Sequence, residues 1–435
     1  MKKFKWLSAF LILLLGSLLL FACSEDGEGD EEVGSSEDDE VIEFMHLWPE
    51  GSSAQHYRIV NEIIEDFEEE HPNKTVDLQV YSNEQYKDQI TVLSSANELP
   101  DVGMTWAAGY MEPFVSGNMF AELDDMLDEG LRDEFVAGTL EAFELDGVSY
   151  GLPLELNTTY VFYNKNIFDE HGLEKPDTYE DLQEIISVLN ENNVEPISLG
   201  NRDRWTGSMW YMYFADRIGG SDVLTEAING ERSFEDPALV EAAEKVQEMV
   251  TNDSFNSGFN GMANEEASSM FMNDQAAMYM IATWDLPNFT TNEDIPQEFR
   301  DSVDYFKFPT VEGSGDTNSF VGGPGVGLFV SENSEVKDAA LEFSSFFIQE
   351  WGERSVTEAG VIPGTIVDGE SLDLPDMYVE VLEDLENATN LTLYADVQMS
   401  AGVADRHLEL IQALFGLEIT AEEFAEEHEN ALSEE

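Results

Sequence analysis

The sequence predicts an α/β protein with a mainly parallel sheet, and three observations carry that prediction. Beyond residue 40, short β-rich runs alternate with amphipathic helical runs, the order that right-handed crossovers turn into neighbouring parallel strands. The chain is 42% hydrophobic over 435 residues and holds 27 Phe, enough to fill sizeable cores. It has one Cys, so no internal disulfide framework or thiolate metal cluster takes the place of those cores.

The elements follow in order. Val41 to Leu47 is the first strand, and Ala54 to Glu70 is a helix with Ile59, Ile63, Ile64 and Phe67 on one face and Pro72 beyond its end. Val76 to Tyr81 alternates as a second strand, Glu84 to Ala96 is helical and Asp101 to Trp106 is a third strand. Gly147, Gly151 and Pro153 mark a turn before the strand Thr159 to Asn164. Helices at Tyr179 to Leu189, Trp205 to Arg217, Pro237 to Val250 and Glu265 to Asn273 are interleaved with extended segments at Pro196 to Leu199 and Ala276 to Thr283. Phe320 to Val330 reads as one Gly-interrupted strand. Three more helices follow, Glu335 to Glu353, Ala404 to Phe415 and Ala421 to Leu432. No repeat of about 20–50 residues is present.

Composition excludes some functions. With 92 Asp plus Glu against 19 Lys plus Arg, the formal net charge is −73. Nucleic-acid binding through phosphate neutralisation is excluded by that balance. Such a charge repels itself and suits saline or alkaline surroundings, where it reads as a general bias of the proteome rather than part of an activity.

The amino terminus accounts for the Cys. Lys2, Lys3 and Lys5 precede an apolar run from Trp6 to Ala22, the pattern of a secretory signal and short for a membrane span. Leu20-Phe21-Ala22-Cys23 resembles a bacterial lipobox, which implies cleavage after residue 22 and lipidation of Cys23; Phe21 stands where a small residue is usual. The alternative is an uncleaved membrane anchor. Ser24 to Glu40 is acids, Gly and Ser with Val33 alone, a disordered tether with a reach of roughly 20–25 Å.

Catalytic signatures were sought. There is no G-x-S-x-G, H-E-x-x-H or G-x-x-x-x-G-K-[ST], and the six His show no ligand spacing. Gly323, Gly325 and Gly327 lie inside a strand rather than at its end, which argues against a dinucleotide loop. Among 92 acids, close carboxylate pairs arise by chance and say nothing about glycoside hydrolysis.

The tryptophans are informative. Trp48 and Trp106 fall just past the carboxyl ends of strands, and Trp284 follows Ala276 to Thr283; in open α/β sheets that rim binds ligands. An indole covers the apolar face of a sugar ring while Asp, Glu and Asn serve its hydroxyls. Burying roughly 100 Å² at about 25 cal/mol per Å² gives near 2.5 kcal/mol for each platform. Glu50 beside Trp48 and Asp285 beside Trp284 supply edge partners. Trp210 and Trp351, inside amphipathic helices, read as core, and Trp205 fits either role.

Taken together, Leu47-Trp48, Leu99-Pro100-Asp101-Val102 leading to Trp106, Tyr150-Gly151-Leu152-Pro153 running into Tyr163-Asn164-Lys165, Ala277-Met278 leading to Trp284, Phe320-Val321-Gly322-Gly323 and Gln398-Met399-Ser400 resemble the solute-binding proteins of carbohydrate ABC transporters, the maltose- and oligosaccharide-binding group. The resemblance implies a two-lobed periplasmic-binding-protein-like fold with hinge-linked lobes and a central cleft. It implies a first lobe from 41–156 plus 322–355 and a second from 157–321 plus 356–435, with crossings near Leu156 to Thr158, Val321 to Gly323 and Arg354 to Val361. By matching motif positions it places Trp48, Glu50, Trp106, Asn157 and Trp284 against the ligand, and Glu155, Trp205, Asp285 and Gly323 complete the expected binding set. Near Gln398, where the maltose binder carries a further stacking aromatic, this chain has Gly402 and Val403.

The expected function is a lipid-anchored, extracellular receptor that hands a sugar to a membrane permease, acting as a monomer with no cofactor, no metal and no catalysis. The alternatives are an extracellular glycoside hydrolase, a polysaccharide-adhesion protein, or the same fold holding a non-sugar solute such as a glycerophosphodiester. Few basic residues near the cleft disfavour an anion, with Arg202, Arg204 and Arg406 the residues that keep it open.

Overall fold

The computed structural model describes residues 39–128, 130–367 and 372–434. The expected signal, Cys23 and all but the end of the acidic tether lie outside the described residues.

The first three strands are β1 (Glu40–His46), β2 (Lys74–Val80) and β3 (Val102–Thr105). Both neighbours of β1 run parallel to it, with Phe44 opposite Leu78 and Val102. The intervening helix Ala54–Glu70 forms because Ile59, Val60, Ile63, Ile64 and Phe67 recur on one side, and it buries them against the sheet. A hairpin, β4 (Glu144–Leu145) and β5 (Val148–Ser149), leads to the short β6 (Leu152–Pro153) and then to β7 (Leu156–Asn164), all nine residues of which are buried.

The later strands are β8 (Ile197–Ser198), β9 (Met278–Ala282), β10 (Val303–Phe306), β11 (Ser319–Pro324), β12 (Gly327–Val330) and β13 (Asn390–Thr392). They resolve into a five-stranded sheet, β2-β1-β3-β12-β6, and a six-stranded sheet, β13-β11-β7-β9-β8 with β10 also on β7. The expected parallel arrangement describes β1 to β3. The second sheet is built around antiparallel pairs of β7 with β9, β10 and β11, because β7 enters from the first sheet and later strands return against it.

Each sheet has its own core. Ile42, Phe44, Ile63, Phe67, Phe343 and Phe347 fill the first. Tyr160, Phe162, Leu182, Tyr211, Phe214 and Met280 fill the second. The helix Trp205–Gly219 runs through the second core with every residue from Thr206 to Arg217 buried, which explains aromatics on all its faces. Buried Arg217 is satisfied there by Asp216 and by the carbonyls of Phe308 and Ser319.

The run Phe320 to Val330, expected as one strand, is two strands in different sheets. Gly322 and Gly323 pair with Thr158 and Asn157 in the second sheet, so the chain crosses at Gly325 and Val326. Three crossing segments lie side by side: Gly325 N–H donates to the Glu155 carbonyl at 2.8 Å, Leu154 N–H to Val326 at 2.9 Å, and Leu156 N–H to Ile362 at 2.9 Å. Close approach requires glycine here, since a Cβ on Gly325 would meet Asn157 Nδ2 at 2.4 Å.

Candidate functional site

A cavity of about 1100 Å³ lies between the two sheets, beside these crossings. From the first sheet, Trp48 follows β1 and Trp106 follows β3, the carboxyl-end positions that the rim rule assigns to ligands. From the second, Trp205 opens the helix Trp205–Gly219 and Trp284 sits in the 3-10 turn Thr283–Phe289 after β9. Glu50, Glu155, Asn157 and Asp285 line the same space.

The tryptophans differ in how free they are. Trp48 is 6% exposed, and its ring lies flat on Trp351 at 4.8 Å with 3° between planes. His46 Nδ1 accepts its backbone N–H at 3.1 Å. One face is therefore committed to the core, and only a margin of the ring reaches the cleft. Trp351 itself is core, as read, and its Nε1 donates to the Leu154 carbonyl at 2.9 Å. Trp106 is half-buried, with Tyr110 edge-on at 4.8 Å and the Lys87 ammonium 4.9 Å over its ring. Trp205 and Trp284, also half-buried, meet edge to face at 5.9 Å. Tyr394 joins them at 5.7 Å from Trp284.

Tyr394 is a cleft aromatic that sequence reading missed. The search for a stacking ring near Gln398 looked downstream to Gly402 and Val403, whereas the ring comes from the turn between β13 and the helix Ala395–Gln398. Alternation in Leu391-Thr392-Leu393-Tyr394 ahead of Gln398 is the signal that was available. His56, Tyr110 and Asp396 also line the cleft and were not singled out for it, and of the three arginines that keep an anion open Arg204 lines it.

The polar groups are organised. Buried Glu155 accepts from His56 Nε2 at 3.1 Å and from Asn157 Nδ2 at 3.3 Å, and Asn157 Oδ1 in turn accepts from Thr283 at 3.1 Å. This string joins the helix Ala54–Glu70 to β7 and to the turn Thr283–Phe289 after β9, across the crossing segments. Asp285 accepts from Asn288 at 2.7 Å and from Ser268 at 3.3 Å, and burial pushes its carboxyl up to about 6. Burial likewise raises the Asp396 carboxyl, opposed by Lys87. Gly323 is placed differently from expectation: it pairs with Asn157 behind the wall with Leu393 against it, and Gly325 lines the cavity instead.

Among the described residues, no group of three or more His, Cys, Asp or Glu is placed to hold a metal ion, and no helix is long and apolar enough to cross a membrane.

The family model of bacterial extracellular solute-binding proteins matches residues 50–350. The chain is 23% identical over 313 residues to an uncharacterised ABC transporter extracellular-binding protein of Pyrococcus horikoshii, covering 69% of each. It is 23% identical over 360 residues to the multiple sugar-binding protein of Streptococcus mutans, covering 80% of this chain and 79% of that one. Among solved structures, one from work on xylan utilization by the thermophilic bacterium Caldanaerobius polysaccharolyticus superposes with a TM-score of 0.84 at 29% identity, covering 90% of this chain and 99% of that one. A chitin oligosaccharide binding protein, at 20% identity, shares the fold with a TM-score of 0.83 over 91% of this chain and 98% of its own.

Proposed function

The chain belongs to the bacterial extracellular solute-binding proteins, and on that premise we propose that it captures an oligosaccharide between its two lobes and delivers it to the membrane permease of an ABC importer. The observation that carries this reading is the convergence of Trp106, Trp205, Trp284 and Tyr394, from both sheets, on one cavity. Flat rings on opposite walls suit the two C–H faces of sugar rings, and the carboxylates and amides between them suit the hydroxyl edges. A volume of about 1100 Å³ exceeds the need of a single ring and favours several linked ones. The names of the relatives, which refer to multiple sugars, xylan and chitin oligosaccharide, support the same substrate class.

Release and capture follow from the three crossing segments, near 154–156, 325–326 and 356–362, which form the hinge in this reading. A ligand that touches both lobes binds the closed form better than the open one, and that difference drives closure. The protein acts as a receptor with no catalytic step, as a monomer, held at the outer face of the membrane by lipid on Cys23.

The test is titration of xylo-, chito- and malto-oligosaccharides against intrinsic Trp fluorescence, paired with small-angle scattering. A saturable change with contraction of the particle is expected. A folded protein that answers to no saccharide sinks the reading, and release of reducing sugar by the purified chain would make it a hydrolase. Replacing Cys23 by Ala and finding the protein still in the membrane fraction would remove the lipid anchor.

A further inference from the structure

We propose that Arg204 recognises a sugar carboxylate, so that the solute captured in the cleft is an oligosaccharide bearing a uronic acid. This rests on the sugar-capture reading and narrows it.

The first argument is the scarcity of unpaired cations. Acids outnumber bases by 92 to 19, and among the described residues every Lys and Arg except Lys165, Arg204 and Arg300 has a carboxylate within 4.0 Å. Arg300 donates to the carbonyls of Ile295 and Thr290. Lys165, at the start of the helix Lys165–His171, does not line the cleft. Arg204 does line it, and among the described residues its buried Nε has no hydrogen-bond partner. In a chain with so many carboxylates, a cation left without one inside a ligand cavity calls for a partner from outside.

The second argument is local. The neighbouring Asp203 is turned to Arg202 at 3.3 Å, which takes up the nearest negative charge in sequence. Arg204 Nε is buried with no acceptor, and so is Nε1 of the adjacent Trp205. Two unanswered N–H donors side by side are uncommon in a folded protein. Arg204 also holds a backbone φ of 74° with ψ −31°, a conformation that a side-chain-bearing residue avoids and that folds retain mainly where a side chain must be aimed.

The third argument selects the anion. Of the three arginines that kept an anionic solute open, Arg202 pairs with Asp203 and Arg406 with Glu409 and Glu427, so one guanidinium remains. A planar carboxylate with a single charge matches one guanidinium fork. A phosphate monoester carries nearly two charges and would be left half neutralised in a cleft already lined by Glu50, Glu155 and Asp285, while a phosphodiester, singly charged like a carboxylate, is separated from it by the titration below. The rings of Trp205 and Trp284 beside Arg204 hold the sugar from which the carboxylate projects.

The test is calorimetric titration of the purified chain with pairs of oligosaccharides of equal length, neutral and uronate-bearing, drawn from xylan, pectin and chitin backbones, with a glycerophosphodiester as a further arm. The uronate-bearing member of one pair is expected to bind at least roughly tenfold more tightly, the size of a charge-assisted bond. Arg204→Gln should erase that preference by weakening the uronate-bearing member more than the neutral one; Arg204→Lys should keep part of it. A measurement free of variants is the salt dependence of the wild type, where the preference should shrink as salt rises. Equal affinity for both members, equal loss of both in Arg204→Gln, or a preference for the phosphodiester overturns this proposal and leaves sugar capture standing or recast. Binding of no saccharide overturns both.

Discussion

The two walls of the cleft are made of similar residues used differently. On the first sheet, Trp48 is stacked on Trp351 and continues into Phe347 at 5.7 Å, so the column of rings belongs to the core and shows the ligand little more than an edge. Trp106 is more open but already carries Lys87 and Tyr110. On the second sheet, Trp205, Trp284 and Tyr394 meet one another ring to ring and, though packed against the core on one side, stand half-exposed around the cavity. A tryptophan at a strand end thus does two jobs. Where a second indole lies beneath it, it anchors the lobe; where its neighbours are other rim residues, it faces the solute. On the proposed function, the second lobe supplies most of the stacking surface and the first closes over a ligand already seated.

The sharpest way to break this contrast is to remove rings one at a time. Trp351→Ala should cost about 3–5 kcal/mol of folding stability, by loss of its packing and of its bond to Leu154 at the hinge, and Trp48→Ala should fall in the same range with affinity little changed in the folded fraction. Urea unfolding checks both. Trp284→Ala should leave stability nearly unaltered and weaken oligosaccharide binding by about 2–3 kcal/mol, seen by calorimetry. If Trp48→Ala weakens binding as much as Trp284→Ala, the two walls are equivalent and the contrast fails. Trp106→Ala should cost about 1 kcal/mol of affinity, because part of its surface is taken by Lys87 and Tyr110.

The smallest expected effect concerns pH. Asp285 has a folded carboxyl near 6 against an ordinary 3.8, so the folded state keeps a proton that the unfolded chain gives up. Its contribution to stability therefore declines as pH rises from about 4 to 6 and is constant above. Asp285→Asn should remove that decline, gaining roughly 1 kcal/mol relative to wild type between pH 4 and 7.5, since partial exposure screens the group. An unchanged difference across that range would mean that the second wall does not dehydrate Asp285.

Local signals located many of the elements. The helix Ala54–Glu70 ends within a residue of its expected limits because five apolar side chains at helical spacing leave one orientation that buries them. The break in Phe320 to Val330 was legible only in part: Gly322, Gly323 and Pro324 are poor strand formers and a crossing is expected near Val321 to Gly323, but the position of β7 and β3 decides that it falls at Gly325 and Val326. The short helix Lys165–His171 escaped notice as well. Its start is fixed by Asn164, whose side chain accepts from Asn166 and Ile167 while its backbone ends β7.

For the cleft, chain order alone brought Trp48, Trp106, Trp205 and Trp284 under suspicion, since strand ends and helix starts can be read from periodicity. Whether an indole faces solute or core depends on what lies against its other side, and Trp351 is some 300 residues from Trp48 in the chain. Tyr394 and Arg204 show the same limit. One reaches the cavity from a turn late in the chain, and the other is distinguished by the absence of a paired carboxylate although Asp203 adjoins it in sequence. Acidity and the alternation of strands with helices were settled by the order of residues, because they rest on composition and on contacts a few positions apart. The division into two sheets, the crossing at Gly325 and the lack of a carboxylate beside Arg204 among the described residues were settled by packing, because each depends on distances between segments that the chain brings together only once it has folded.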